Sequence, residues 1–137
     1  MSEFVAYEDL CVGRELAKVT QTVRHAEVER YRLACGCAVA SSAEVLFDGR
    51  VPVPPTYAAI FARAALEQLP APPGGVHAKQ QYTFREPLFV GDVVTTGVRI
   101  IDKYEKRGRH YVVMKTSSCN QTGIVVITGL ATRIWSR

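Results

Sequence analysis

The chain has 137 residues, 47% of them apolar, with a formal net charge of +4, which suits one domain around a single core. No apolar run approaches the roughly eighteen residues that cross a membrane, and the opening MSEFVAYEDL lacks the basic-then-apolar order of a secretory signal, so a cytoplasmic protein with no membrane partner is expected. Cys35-Gly36-Cys37 is a CxC rather than a CxxC, and none of the three histidines has finger spacing to a cysteine, so no metal and no cofactor is expected.

Glu15 to Val23 (ELAKVTQTV) alternates and predicts a first strand. His25 to Cys35 (HAEVERYRLAC) carries Ala26, Val28, Tyr31, Leu33 and Ala34 at mixed helical spacing, and Gly36 can stop that helix as a left-handed cap. From Gly36 to Pro55 no period holds, over about twenty residues, long for an unstructured connection. Its apolar content predicts a segment packed over something, with a plain turn at Asp48-Gly49. Thr56 can cap a second helix over Tyr57 to Leu69 (YAAIFARAALEQL). Only Arg63, Glu67 and Gln68 are polar there, which predicts burial on nearly every side. The alanines keep this helix thin, and Pro70 to Gly75 ends it.

The rest reads as strands at His77–Arg85, Val93–Lys103, His110–Cys119 and Ile124–Trp135, separated by turns at Pro87–Asp92, Lys106–Arg109 and Asn120–Gly123. Gly97 and Gly129 interrupt strand interiors, where glycine often marks a bulge or bend. Asp92 suits a turn residue that bonds its own backbone. Lys103, Lys106, Arg107, Arg109 and His110 form the densest basic cluster. It reads as a solvated hairpin tip, or as a dock for a nucleotide phosphate or an acidic carrier protein. No aromatic residues interleave with it, so no nucleic acid partner is expected. One apolar helix followed by a run of antiparallel strands is the order of an α+β sheet wrapped around a helix.

Several pieces in this order resemble one family. They are Tyr7-Glu8-Asp9-Leu10 with Gly13, Val28 to Gly36, Pro54-Pro55-Thr56-Tyr57, and His77, Gln80, Phe84, Pro87, Leu88, Gly91 and Asp92. Together they are similar to the MaoC-like hydratase/dehydratase branch of the hotdog fold, and most to its N-terminal-type, non-catalytic partner subunits. The resemblance implies a single domain over residues 1–137, one long central helix wrapped by an antiparallel sheet, and pairing of two such units. It also implies an acyl-CoA or acyl-carrier-protein thioester as ligand. A small sheet with an exposed edge gives an independent reason for pairing.

Hydratases of this family carry an Asp and a His on the loop after the first helix, in a G-D-x-N-P-x-H pattern. Here the loop reads Gly36-Cys37-Ala38-Val39-Ala40-Ser41-Ser42, with Cys37 in place of the Asp and Ser42 in place of the His. Three readings follow. The chain is the acyl-binding partner in a homodimer or a heterodimer whose other member carries the Asp and His. Or it is a self-sufficient dehydratase, isomerase or thioesterase using His77 as base and Cys37 as nucleophile or weak acid. Or it is a non-enzymatic module that binds a thioester or carrier. The bland alternatives are an edge histidine at His77 and a small apolar filler at Cys37. The acyl chain is expected beside Tyr57, Ile60 and Phe61, with Thr56 and Tyr57 N–H groups near the carbonyl. Gln80 joins them because His77 and Gln80 form an HxxQ.

Overall fold

The computed structural model describes residues 4–36 and 48–136. Five strands form one antiparallel sheet: β1 (Glu15–Thr22), β2 (Val76–Phe84), β3 (Val93–Lys106), β4 (Arg109–Cys119) and β5 (Val125–Trp135). Their order across the sheet is β1-β3-β4-β5-β2. Helix α1 (His25–Cys35) follows β1 and ends at Gly36, which takes φ 69° as the left-handed cap. A 3-10 turn (Pro55–Ala58) leads into helix α2 (Ala59–Leu66), which lies across β3, β1 and β4. This is the helix wrapped by a sheet that the order of elements predicted.

The second helix is shorter than Tyr57–Leu69, and its two ends have separate causes. Pro54-Pro55 starts a tight 3-10 turn in which Tyr57 N–H donates to Pro54 O at 2.9 Å. Thr56 therefore does not cap the helix; its hydroxyl shares a 2.6 Å hydrogen bond with Tyr31 instead. At the far end, Pro70 disfavours α-helical backbone in Leu69, and the last turn tightens through Leu69 N–H to Leu66 O at 3.2 Å. Nor is the helix buried on every side. Tyr57, Ala58, Phe61, Ala62 and Ala65 face the sheet, while Thr56, Ile60, Arg63 and Glu67 form an exposed stripe.

The helix spans two apolar clusters. Tyr57 and Phe61 pack with Val28, Val53, Leu88, Val94 and Val126. Ala65 packs with Leu10, Val98, Ile100, Met114 and Trp135. In β3, Thr96 lies between Val94 and Val98, and its hydroxyl meets that of Ser118 at 2.7 Å. Both side chains are buried, and each satisfies the other.

The strand glycines are not at bulges. The register is regular at Gly97 and Gly129 and shifts instead between Glu15 and Ala17, His77 and Lys79, Ile100 and Asp102, and Ser118 and Cys119. Gly129 is there for space: an added Cβ would lie 2.6 Å from Thr116 Oγ1 and 3.2 Å from both Gln80 Nε2 and Tyr82 Cδ1. At Gly97 the same atom would meet only the carboxylate end of Glu15, at 3.2 Å. Gly129→Ala should therefore destabilise by about 1–3 kcal/mol through overpacking. Gly97→Ala should be neutral or stabilise by up to about 1 kcal/mol. Urea midpoints of the two variants test the contrast, and equal losses would show that crowding is not the cause.

The turns behave as read. Asp92 Oδ2 accepts from Phe89 N–H at 2.9 Å, and Asn120 Oδ1 accepts from Thr122 N–H and Ile124 N–H. Arg107-Gly108 closes β3 and β4 with φ 51° and 73°, a two-residue hairpin turn. Of the basic cluster, Lys103 donates to Tyr7 O, and His110 stacks on the Tyr7 ring with centroids 4.1 Å apart. Those two serve the packing of the N-terminal segment, and only Lys106, Arg107 and Arg109 stay exposed at the tip.

Candidate active site

The side chains of interest fall in two places along the groove between α2 and the edge strand β2. The first is the start of the second helix. Here α1 docks through Tyr31 on Thr56 and through Glu27, which accepts a 3.4 Å hydrogen bond from the Tyr57 hydroxyl. The rings of Tyr31 and Tyr57 meet edge-on at 5.4 Å, and Tyr57 meets Phe61 the same way at 5.8 Å. Burial, reinforced by the Glu27 carboxylate, pushes the Tyr57 hydroxyl up from the usual tyrosine range, so it stays a neutral donor at physiological pH. Because Tyr57 N–H is committed to Pro54 O, the expected pair of carbonyl donors reduces to Thr56 N–H. Beside this turn lies an apolar cavity of about 390 Å³ lined by Pro55, Ala58, Phe84, Leu88 and Val126, among others.

The second place is a polar cavity of about 320 Å³ facing the later half of α2. It is lined by Arg63, Leu66, Glu67, His77, Gln80, Tyr82 and Arg133. Residues three apart in a regular strand point to opposite faces. The register shift between His77 and Lys79 inserts one extra residue, and His77 and Gln80 thereby line the same cavity. Arg133 stands directly across the strand pair from His77. Arg63 is held by Glu67 at 2.9 Å. Tyr82 is also pushed above the usual tyrosine range by burial.

The structure thus brings His77 and Gln80 together, and Thr56, Tyr57 and Phe61 together, but separates the two groups. Tyr57 to Leu66 spans nine residues, about 14 Å at the helical rise. Phe61 is a core residue and Ile60 points outward. Cys37 and Ser42 lie outside the described residues. Sequence reading missed Tyr31 and Glu27, since helix α1 showed no clean apolar stripe to say which face docks. It also missed Arg32, which is buried and donates to Pro52 O at 2.5 Å, tying α1 to the chain ahead of α2.

The fold has known counterparts. Residues 11–129 match the family described as FAS1-like, dehydratase domain region. The chain belongs to that family. No curated protein matches the sequence. Among solved structures, the MaoC-like dehydratase from Rhodospirillum rubrum superposes with a TM-score of 0.79 at 18% identity, covering 95% of this chain and 96% of that one. The (R)-hydratase from A. caviae involved in PHA biosynthesis gives 0.76 at 24% identity, over 94% and 99%. The HadBC (3R-hydroxyacyl-ACP dehydratase) complex from Mycobacterium tuberculosis gives 0.74 at 19% identity, over 90% and 96%. These likenesses establish the hotdog fold. In this FAS1-like dehydratase-region chain, the sheet and central helix match the fold that the sequence resembled. Among the described residues, no helix is long and apolar enough to cross a membrane.

Proposed function

We propose that this chain is the acyl-binding subunit of a 3-hydroxyacyl-thioester dehydratase or enoyl-thioester hydratase, and that a partner hotdog unit supplies the acid/base pair. One observation carries the reading: in a dehydratase-family chain, the loop Gly36 to Ser42 holds neither the Asp nor the His of the hydratase pattern. The thioester carbonyl would sit by Thr56 N–H, with the acyl group in the apolar cavity beside Ala58 and Phe84. Acyl-CoA and acyl-carrier thioesters present the same reacting end, and the exposed Lys106 and Arg107 would favour either anionic carrier. The test is enoyl-thioester hydration by the chain alone and with a partner.

The groove also supports the partner half of the proposal. Strand β2 ends the sheet, and the side chains beside it are uncovered in one chain: Ile60 is 42% exposed, Phe84 46% and Val76 52%. The HadBC neighbour is itself a complex. A second hotdog unit against β2 would cover this apolar side, as a homodimer or a heterodimer. Sedimentation at micromolar concentration should show no long-lived monomer of the wild-type chain or complex. Ile60→Asp should weaken assembly about tenfold to a hundredfold, from the lost burial of one aliphatic side chain. Unchanged assembly would place the interface elsewhere.

His77 and Gln80 on one face keep a second reading in play, in which this chain is catalytic by itself. Its base would be His77, acting on a ligand bound in the polar cavity. His77→Ala then decides, with a loss of ~10²-fold or more expected if it is the base.

A further inference from the structure

The apolar and polar cavities lie end to end along the groove between α2 and β2, and two neighbouring rings stand at their junction. Phe84 lines the apolar cavity, with Ala58 and Val126, and Tyr82 lines the polar one, with Leu66 and Gln80. The two are successive residues on one face of β2. Their ring centroids are 6.2 Å apart and their planes are tilted by 33°. Phe84 is the outer ring of the pair, and Tyr82, half-buried, is the inner one. The Tyr82 ring reaches from the floor of the groove to its roof. Its floor is Gly129, the residue opposite it on β5, where an added Cβ would lie 3.2 Å from Tyr82 Cδ1. Its roof is the apolar cluster of Tyr57, Ala58 and Phe61, against which the ring packs.

A wall at this place limits how much of an acyl group the chain can bury. With the thioester carbonyl by Thr56 N–H, the acyl group enters the apolar cavity and runs beside Phe84 until it meets Tyr82. Phe84 to Tyr82 is two residues, about 7 Å of strand. At about 1.2 Å per extended bond, that is roughly six bonds. Carbons beyond the wall leave the groove for water and add no burial, so they add no affinity. We propose that Tyr82 is the chain-length stop of this site, and that the acyl groups it takes are short, about four to six carbons long. The inference rests on the acyl-thioester reading above and names its substrate class, the thioesters of short-chain acids.

The experiment is calorimetric titration of the purified chain, or of its complex with the partner, with four probes: butyryl-CoA, hexanoyl-CoA, octanoyl-CoA and decanoyl-CoA. Wild-type affinity should rise about fourfold per methylene up to hexanoyl-CoA, the effect of one buried CH₂. From hexanoyl-CoA to decanoyl-CoA it should change by less than one such step. Tyr82→Ala joins the two cavities, so decanoyl-CoA should then bind about tenfold or more tighter than hexanoyl-CoA. Tyr82→Phe keeps the ring and should keep the wild-type plateau. A wild-type affinity that climbs as steeply beyond hexanoyl-CoA as before it overturns the proposal, and so does a plateau that Tyr82→Ala leaves in place. If Tyr82→Phe lifts the plateau, the hydroxyl sets it and the wall is overturned as well. Equal binding of all four probes by the wild type also overturns it, while leaving the acyl-thioester reading intact. If no probe binds a folded sample, that reading fails and this one with it. Should Tyr82→Ala not fold, Tyr82→Val suits a strand better and takes its place, and the wild-type series tests the stop without any variant.

Discussion

The purified chain should hydrate a short enoyl thioester at least ~10²-fold more slowly than an ordinary enzyme of roughly 1–10³ s⁻¹. Hydration needs one group to move a water proton and another to serve the carbon next to the thioester carbonyl. Each such group is worth typically ~10²–10⁴-fold, and losses within one catalytic unit do not simply multiply. Neither the Cys37 thiol nor the Ser42 hydroxyl replaces an Asp/His pair at neutral pH without a base beside it. The described residues at the start of the second helix offer Tyr31, Thr56, Tyr57 and Glu27, of which the Tyr57 hydroxyl is held neutral. Loss of the conjugated enoyl absorbance is the measurement, first for the lone protein, then with a hotdog partner that carries Asp and His. The partner should restore turnover, and Cys37→Ala in this chain should then change it little. Turnover by the lone protein at an ordinary enzymatic rate would end the partner reading. His77→Ala would then identify the base if it cost ~10²-fold or more.

What the sequence made legible, and what it hid, follows from how far each signal reaches. The strands and the cap at Gly36 were legible because period-two alternation and a left-handed glycine are local. The ends of α2 were less so. Pro54-Pro55 marks a start, but whether the first turn is α or 3-10 depends on where Tyr57 N–H finds its acceptor. The exposed Ile60 stripe could not be seen either, since an alanine-rich helix looks apolar all round until a sheet selects one face. Gly97 and Gly129 look alike in sequence, yet only Gly129 has a neighbouring strand's hydroxyl where a Cβ would go. The HxxQ pair is visible as a motif, but a strand without a bulge would split it across the sheet. The seat of the Tyr82 ring over Gly129 carried no signal at all, because it is a contact between segments far apart in the chain.

Trp135→Ala should remove about 3–5 kcal/mol of stability, the usual cost of emptying a large aromatic site. The side chain is 2% exposed and packs in the cluster that holds Leu10, Val98, Ile100, Met114 and Ala65. Its indole N–H donates to Val5 O at 2.8 Å, so the ring also pins the N-terminal segment, which Val5 N–H in turn ties to Pro70 O. Truncation therefore opens a cavity and strands a carbonyl in one change. Whole domains have only about 5–15 kcal/mol, so the denaturation midpoint should fall by roughly a fifth of its value or more. Trp135→Phe separates the two causes: it keeps most of the ring volume and loses the indole donor, and should cost about 1–2 kcal/mol. Chemical denaturation of the wild type and both variants, followed by circular dichroism, gives the three midpoints. If Trp135→Ala cost no more than Trp135→Phe, the stability would lie in the tie to Val5 and not in the packing of the core.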